Sequence, residues 1–159
     1  MSEPTGGGMP AVGEPAPDFT LPTDEGAELT LSSLRGRPVV LYFYPKDDTS
    51  GCTAQACEFR DDFPRFVAGD AVILGVSPDK PEKLKKFDDK YGLGFPLLAD
   101  EDHAVAEAFG VWGERSMYGK KYMGIIRSAF LVDEQGKIQE AWPKISPKDT
   151  PANLLKSLG

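Results

Sequence analysis

The chain has 159 residues, 40% of them hydrophobic and 27% charged, which is the size and composition of one soluble globular domain with a real core. A net charge of -7 argues against general affinity for nucleic acid or acidic membranes. Two cysteines and one histidine are too few for a disulfide scaffold or a tetrahedral zinc site.

Residues 1–12, rich in Gly and Pro, read as a flexible tail with neither the basic nor the apolar region of a signal peptide. No run is long enough to cross a bilayer, so a cytoplasmic location is expected. There thiols stay reduced, and a cysteine pair is more often catalytic or redox-sensing than structural.

One ordered domain is expected over 13–159. Pro15, Pro17 and Pro22 bracket a short edge-like strand, Phe19–Leu21, and Ala27–Leu31 returns as its hairpin partner around Asp24-Glu-Gly26. Leu31–Leu34 suggests one helical turn. Val39–Tyr44 is a buried strand, broken by the turn residues Pro45, Asp47, Asp48, Ser50 and Gly51. From Cys52 to Val67 the aromatics recur at helical spacing.

Ala71–Ser77 is a second buried strand, and Pro81–Tyr91 a helix with Leu84 and Phe87 inward. Phe95–Ala99 is a short strand, and Asp102 suits the cap of a helix over 103–109. Ile125–Val132 is a third strong strand, pairing with Lys137–Trp142 through the turn Asp133–Gly136. Pro151 opens a final helix. Alternating strands and helices indicate an α/β domain, with an antiparallel edge from the last pair.

The segment from Tyr44 to Asp61 carries both thiols. Cys52 falls in the first turn of its helix, where unpaired amides and the helix dipole favour a thiolate, the nucleophilic form. A buried, inert cysteine is the plain alternative. Residues five apart on a helix differ by about 140° and roughly 7.5 Å of rise, whereas a disulfide needs Cα atoms within about 7 Å. Cys52 and Cys57 are therefore either unrelated thiols or a pair that bonds only when the first turns unwind. Arg127 lies within an aliphatic strand and needs an anion: a Cys52 thiolate, whose pKa it would lower, or one of many carboxylates. Thr49 offers a hydroxyl at the same helix start, and Pro45 presets the backbone where the strand ends. His103 reads as a surface residue, and Arg60 as the ion-pair partner of Asp61.

Pro45, Thr49, Cys52 and Arg127 together resemble the peroxiredoxin active site, a Pro-x-x-x-Thr/Ser-x-x-Cys stretch with a distant Arg. Gly51-Cys-Thr-Ala-Gln-Ala-Cys57, Phe109-Gly-Val-Trp-Gly113 and Met117-Tyr-Gly-Lys-Lys-Tyr-Met-Gly-Ile-Ile-Arg127 are most similar to the bacterioferritin comigratory protein, or peroxiredoxin Q, subfamily. The resemblance runs from about Gly13 to the C-terminus. It implies a single thioredoxin-like domain, a central mixed sheet flanked by helices, with an N-terminal β-hairpin extension. It also implies a hydroperoxide reductase without metal or flavin, in which Cys52 is peroxidatic, Cys57 resolving, and thioredoxin or glutaredoxin the reductant. A monomer is expected. One departure is Ser50, where the subfamily commonly has Pro. Two other readings of the thiols are a thioredoxin-type disulfide reductase, weakened by the absence of Cys-x-x-Cys, and a thiol-based redox sensor using the same switch.

Overall fold

The computed structural model describes residues 10–45, 50–117 and 119–142. The chain enters through a hairpin of two short strands, β1 (Thr20–Pro22) and β2 (Glu28–Thr30), paired Thr20 to Thr30, and a 3-10 turn over Leu31–Leu34. The central strand β3 (Val39–Phe43) follows, then helices α1 (Ser50–Asp61) and α2 (Phe63–Ala68), strand β4 (Val72–Ser77), helix α3 (Pro81–Tyr91) and strand β5 (Leu97–Ala99). The short helix α4 (Ala104–Ala108) leads into the paired strands β6 (Trp112–Met117) and β7 (Lys120–Ile125). Strands β8 (Ser128–Val132) and β9 (Ile138–Trp142) close the described fold.

The five-stranded sheet runs in the order β5-β4-β3-β8-β9. β3, β4 and β5 are parallel, whereas β8 runs antiparallel to β3 and β9 antiparallel to β8. All five residues of β3 are buried, so this strand is covered on both faces. Its alternation divides the core. Val40 and Tyr42, with Tyr44 just beyond, pack with Cys52, Ala56 and Phe59 of α1 and Leu84 and Phe87 of α3. Val39, Leu41 and Phe43 face Leu21, Leu31, Phe109 and Phe130 on the other side. Phe59 stacks on Tyr42 at 4.6 Å between ring centroids, which fixes the middle of α1 to the sheet.

Several boundaries differ from the sequence reading. The helix expected over 52–67 begins at Ser50 and is split after Asp61, because Pro64 in the first turn of α2 has no amide to continue the α1 ladder. The strand expected over 125–132 is two strands with a joint at Ile126-Arg127: Ile126 N donates to Val111 O at 2.7 Å, in line with the β6–β7 register, and from Ser128 the chain pairs with β3 instead. Arg127 is half-buried at this joint, not inside a strand. The pairing of β6 with β7 was not expected, since this segment lacks a clear apolar alternation and β7 is largely exposed.

The cap of α4 is also shared. Asp102 Oδ1 accepts from Ala104 N at 3.2 Å, while the buried Asp100 accepts from Val105 N at 3.2 Å and Ala106 N at 2.9 Å. His103 is the N-cap residue, in the left-handed region at φ 52°, with its ring stacked on Trp112 at 3.7 Å. The expected helix after Pro151, and the residues before Pro10, lie outside the described residues. Among those described, no helix is long and apolar enough to cross a membrane.

Gly75 of β4 stands beside Tyr42 in register, and a Cβ there would meet the Tyr42 ring at 2.9 Å and Leu97 Cδ2 at 3.0 Å. The ring occupies the space a side chain would need. Gly75→Ala is therefore expected to destabilise the fold by about 1–3 kcal/mol, as overpacking of a tight core does. A denaturant midpoint equal to that of the wild type would contradict this packing.

Candidate active site

The site starts from the way β3 ends. Pro45, half-buried, follows Tyr44 just beyond the end of β3, and α1 begins at Ser50. Cys52 is the third residue of α1, in the turn whose amides have no intrahelical acceptor. Its neighbours at helical spacing, Gln55, Ala56 and Phe59, are all buried, so this stripe presses against the sheet and takes Cys52 with it, 1% exposed.

Arg127 arrives from the other end of the sequence. The joint between β7 and β8 sets its side chain over α1, where Nη2 donates to Cys52 Sγ at 3.0 Å and Nη1 to Gln55 Oε1 at 2.6 Å. A guanidinium has donors and no acceptor, so both contacts are given by Arg127. One planar fork thus spans two residues three apart on one helix face. Of the two partners foreseen for Arg127, thiolate or carboxylate, the sulfur is the one it meets.

Gln55 was quoted in the motif but not singled out as a site residue. The signal was available: at three residues from Cys52 it is the polar member of an otherwise apolar stripe, and a buried amide requires partners. Thr49 lies outside the described residues.

Cys57 is half-buried on the same helix, and both thiols are free. With α1 intact, the five-residue spacing keeps them on different faces, about 140° apart. Arg60 anchors the C-terminal half of the helix. Its Nη1 donates to Tyr91 O at 2.8 Å, at the end of α3, and its Nε pairs with Asp61 Oδ1 at 3.1 Å as expected. Arg60 also feels the Cys57 side chain one turn before it. Its pKa is raised, first by the Asp61 hydrogen bond and, more weakly, by the charge of Cys57. Two sets of contacts therefore hold α1: Cys52 and Gln55 to Arg127 at its start, and Phe59 and Arg60 to β3 and α3 towards its end.

Comparison with known proteins identifies the family and the fold. The AhpC/TSA family model matches residues 12–141. Peroxiredoxin Bcp of Bacillus subtilis (strain 168) is 50% identical over 147 residues, covering 92% of this chain and 94% of the relative. Among solved structures, the bacterioferritin comigratory protein of Xanthomonas campestris, studied for alkyl peroxide reduction, is 37% identical with a TM-score of 0.86. That match covers 93% of this chain and 97% of the other. A mutant of Xylella fastidiosa PrxQ is 33% identical with a TM-score of 0.89 over 96% of this chain and 97% of its own. The chain therefore belongs to the AhpC/TSA family, among the peroxiredoxins of the Bcp and peroxiredoxin Q group, and its single mixed-sheet domain is thioredoxin-like.

Proposed function

We propose that this protein is a thiol peroxidase that reduces hydrogen peroxide and organic hydroperoxides through Cys52, with Cys57 as the resolving thiol and thioredoxin as the reductant. The observation that carries the reading is the Arg127 fork, one arm on Cys52 Sγ and the other on Gln55. The alkyl peroxide reduction named for the Xanthomonas relative supports the substrate class.

The Cys52 thiolate attacks the distal oxygen of the hydroperoxide. An S–O bond forms, the O–O bond breaks, and the departing alkoxide or hydroxide takes a proton to leave as alcohol or water. Negative charge grows on both peroxide oxygens during this step. Arg127, already aimed at the sulfur, supplies donors to that charge without reorganising, joined by the Thr49 hydroxyl and the first-turn amides of α1. Pro45 fixes the direction in which the chain leaves β3 for that turn.

Cys52 is now a sulfenic acid, and Cys57 must reach it. The helix forbids this, so the turns from Ser50 to about Cys57 unwind while Phe59 and Arg60 hold the remainder of α1. The Cys57 sulfur then displaces hydroxide from the Cys52 sulfur, giving the disulfide and water. A dithiol protein reduces it through a mixed disulfide, and the helix re-forms. The chain acts as a monomer in the cytoplasm in this reading.

Cys52→Ser is expected to abolish peroxide consumption, while Cys57→Ser consumes one equivalent and accumulates sulfenic acid, read by a dimedone-type trap. Steady-state turnover with thioredoxin in the Cys52 variant would overturn the reading. Arg127→Ala should slow Cys52 oxidation about 10²- to 10³-fold in rapid mixing, as loss of a preorganised donor does. Gln55→Leu, which leaves the guanidinium but frees its second arm, should slow the same step by up to about 10²-fold through misplacement alone. Wild-type rates in the Gln55 variant would show that the amide does not position Arg127.

A further inference from the structure

The N-terminal hairpin is fastened to β5, the edge strand of the sheet, by a bridge between Thr23 and Leu98 and by Asp24 beside it. Asp24 N donates to Leu97 O at 3.0 Å, and Asp24 Oδ1 accepts from Leu97 N at 3.3 Å, so its main chain and side chain together satisfy the edge of β5. Asp24 is 6% exposed, and its Oδ2 is buried without a hydrogen-bond partner. Such an oxygen has lone pairs to offer and no donor to receive, an arrangement that native structures rarely leave unanswered.

Its surroundings add negative charge. One carboxylate oxygen from each of Asp24, Glu25 and Asp88 lies within 4.8 Å of the others. Asp88 comes from α3, and the three line a cavity between the hairpin and the loop after that helix, with Thr23, Gly94 and Phe95. Lys85 of α3 pairs with Glu25 at 3.2 Å and with Asp89 at 3.1 Å, so an ion in this cluster shares the Glu25 carboxylate with it. None of these residues belongs to the elements that carry Cys52, Cys57 or Arg127.

We propose that Asp24, Glu25 and Asp88 bind one hard divalent cation, of the calcium, manganese or magnesium class, with the buried Asp24 Oδ2 as a ligand. The donor set is all oxygen, which selects this class over softer metals. It bridges two elements distant in sequence, so the ion fastens the hairpin to α3. With three side-chain ligands and water completing the shell, the site is a weak one. A proton shared with Asp88 is the competing occupant: burial, and then the hydrogen bond between the two carboxyls, push the Asp24 carboxyl up to about 6.

The test uses the full-length reduced protein, stripped of metal and titrated near neutral pH with Mn²⁺ by electron spin resonance of the free ion, and with Ca²⁺ by calorimetry. Saturable binding of one ion per chain is expected, with Kd on the order of 10⁻⁴ to 10⁻³ M and a rise in melting temperature that follows occupancy. Asp24→Asn should weaken binding at least about tenfold, as loss of a charged ligand does. Glu25→Gln, a change at an exposed side chain that leaves the packing intact, should weaken it by a smaller factor. Absence of saturable binding up to millimolar ion would leave the proton as the sole occupant and overturn the proposal. So would binding unchanged in both variants, which would place the ion elsewhere.

Discussion

The contact between Arg127 and the first turns of α1 is the constraint on which the rest depends. A guanidinium cannot give up its proton inside a protein, so wherever it is buried the fold must bring it acceptors. Here the acceptors are Cys52 Sγ and Gln55 Oε1, both on one helix face and both buried. The interaction satisfies the cation and the amide, positions the sulfur, and stores a capacity for change, because all of its helix partners lie in the first six residues of α1.

The fold supplies this contact from both ends of the sequence. β3 and β8 are adjacent and antiparallel, Phe43 opposite Ser128, so the end of β3 that leads to α1 and the start of β8 that follows Arg127 lie side by side at one end of the strands. The aromatic stack of Tyr42 on Phe59 sits directly beneath, possible because Gly75 leaves room for the Tyr42 ring. Packing of the later part of α1 is thereby independent of the Arg127 fork. In the proposed cycle that division makes one half of the helix a scaffold and the other half a moving part.

Much of this was legible in the sequence because it rests on local pattern. The apolar run at 39–43, the extent of α3 from Pro81 to Tyr91 and the cysteine spacing speak for themselves within a few residues. The peroxiredoxin resemblance then linked Arg127 to Cys52, which are 75 residues apart in sequence and which no periodicity could connect. What the pattern missed is what long-range packing decides. The break at Ile126-Arg127 falls where the chain leaves the β6–β7 register to pair with β3, not at any strand-breaking residue. The β6–β7 pairing has little burial to mark it. Gln55 looked like a motif letter until its buried position opposite an arginine gave it a task, and Asp24 looked like a turn residue until the edge of β5 was seen to need it.

The central claim is that α1 is a two-state element: whole when Cys52 is reduced and held by Arg127, opened to about Cys57 when the two sulfurs are bonded, with Phe59 and Arg60 as the fixed end. Amide hydrogen exchange on the dithiol and disulfide forms tests it most directly. The account predicts that amides of residues 52–57 lose protection on oxidation, while those of β3 and of α1 beyond Phe59 keep theirs. Equal protection of the whole helix in both forms, with the Cys52–Cys57 disulfide confirmed by mass, would contradict it.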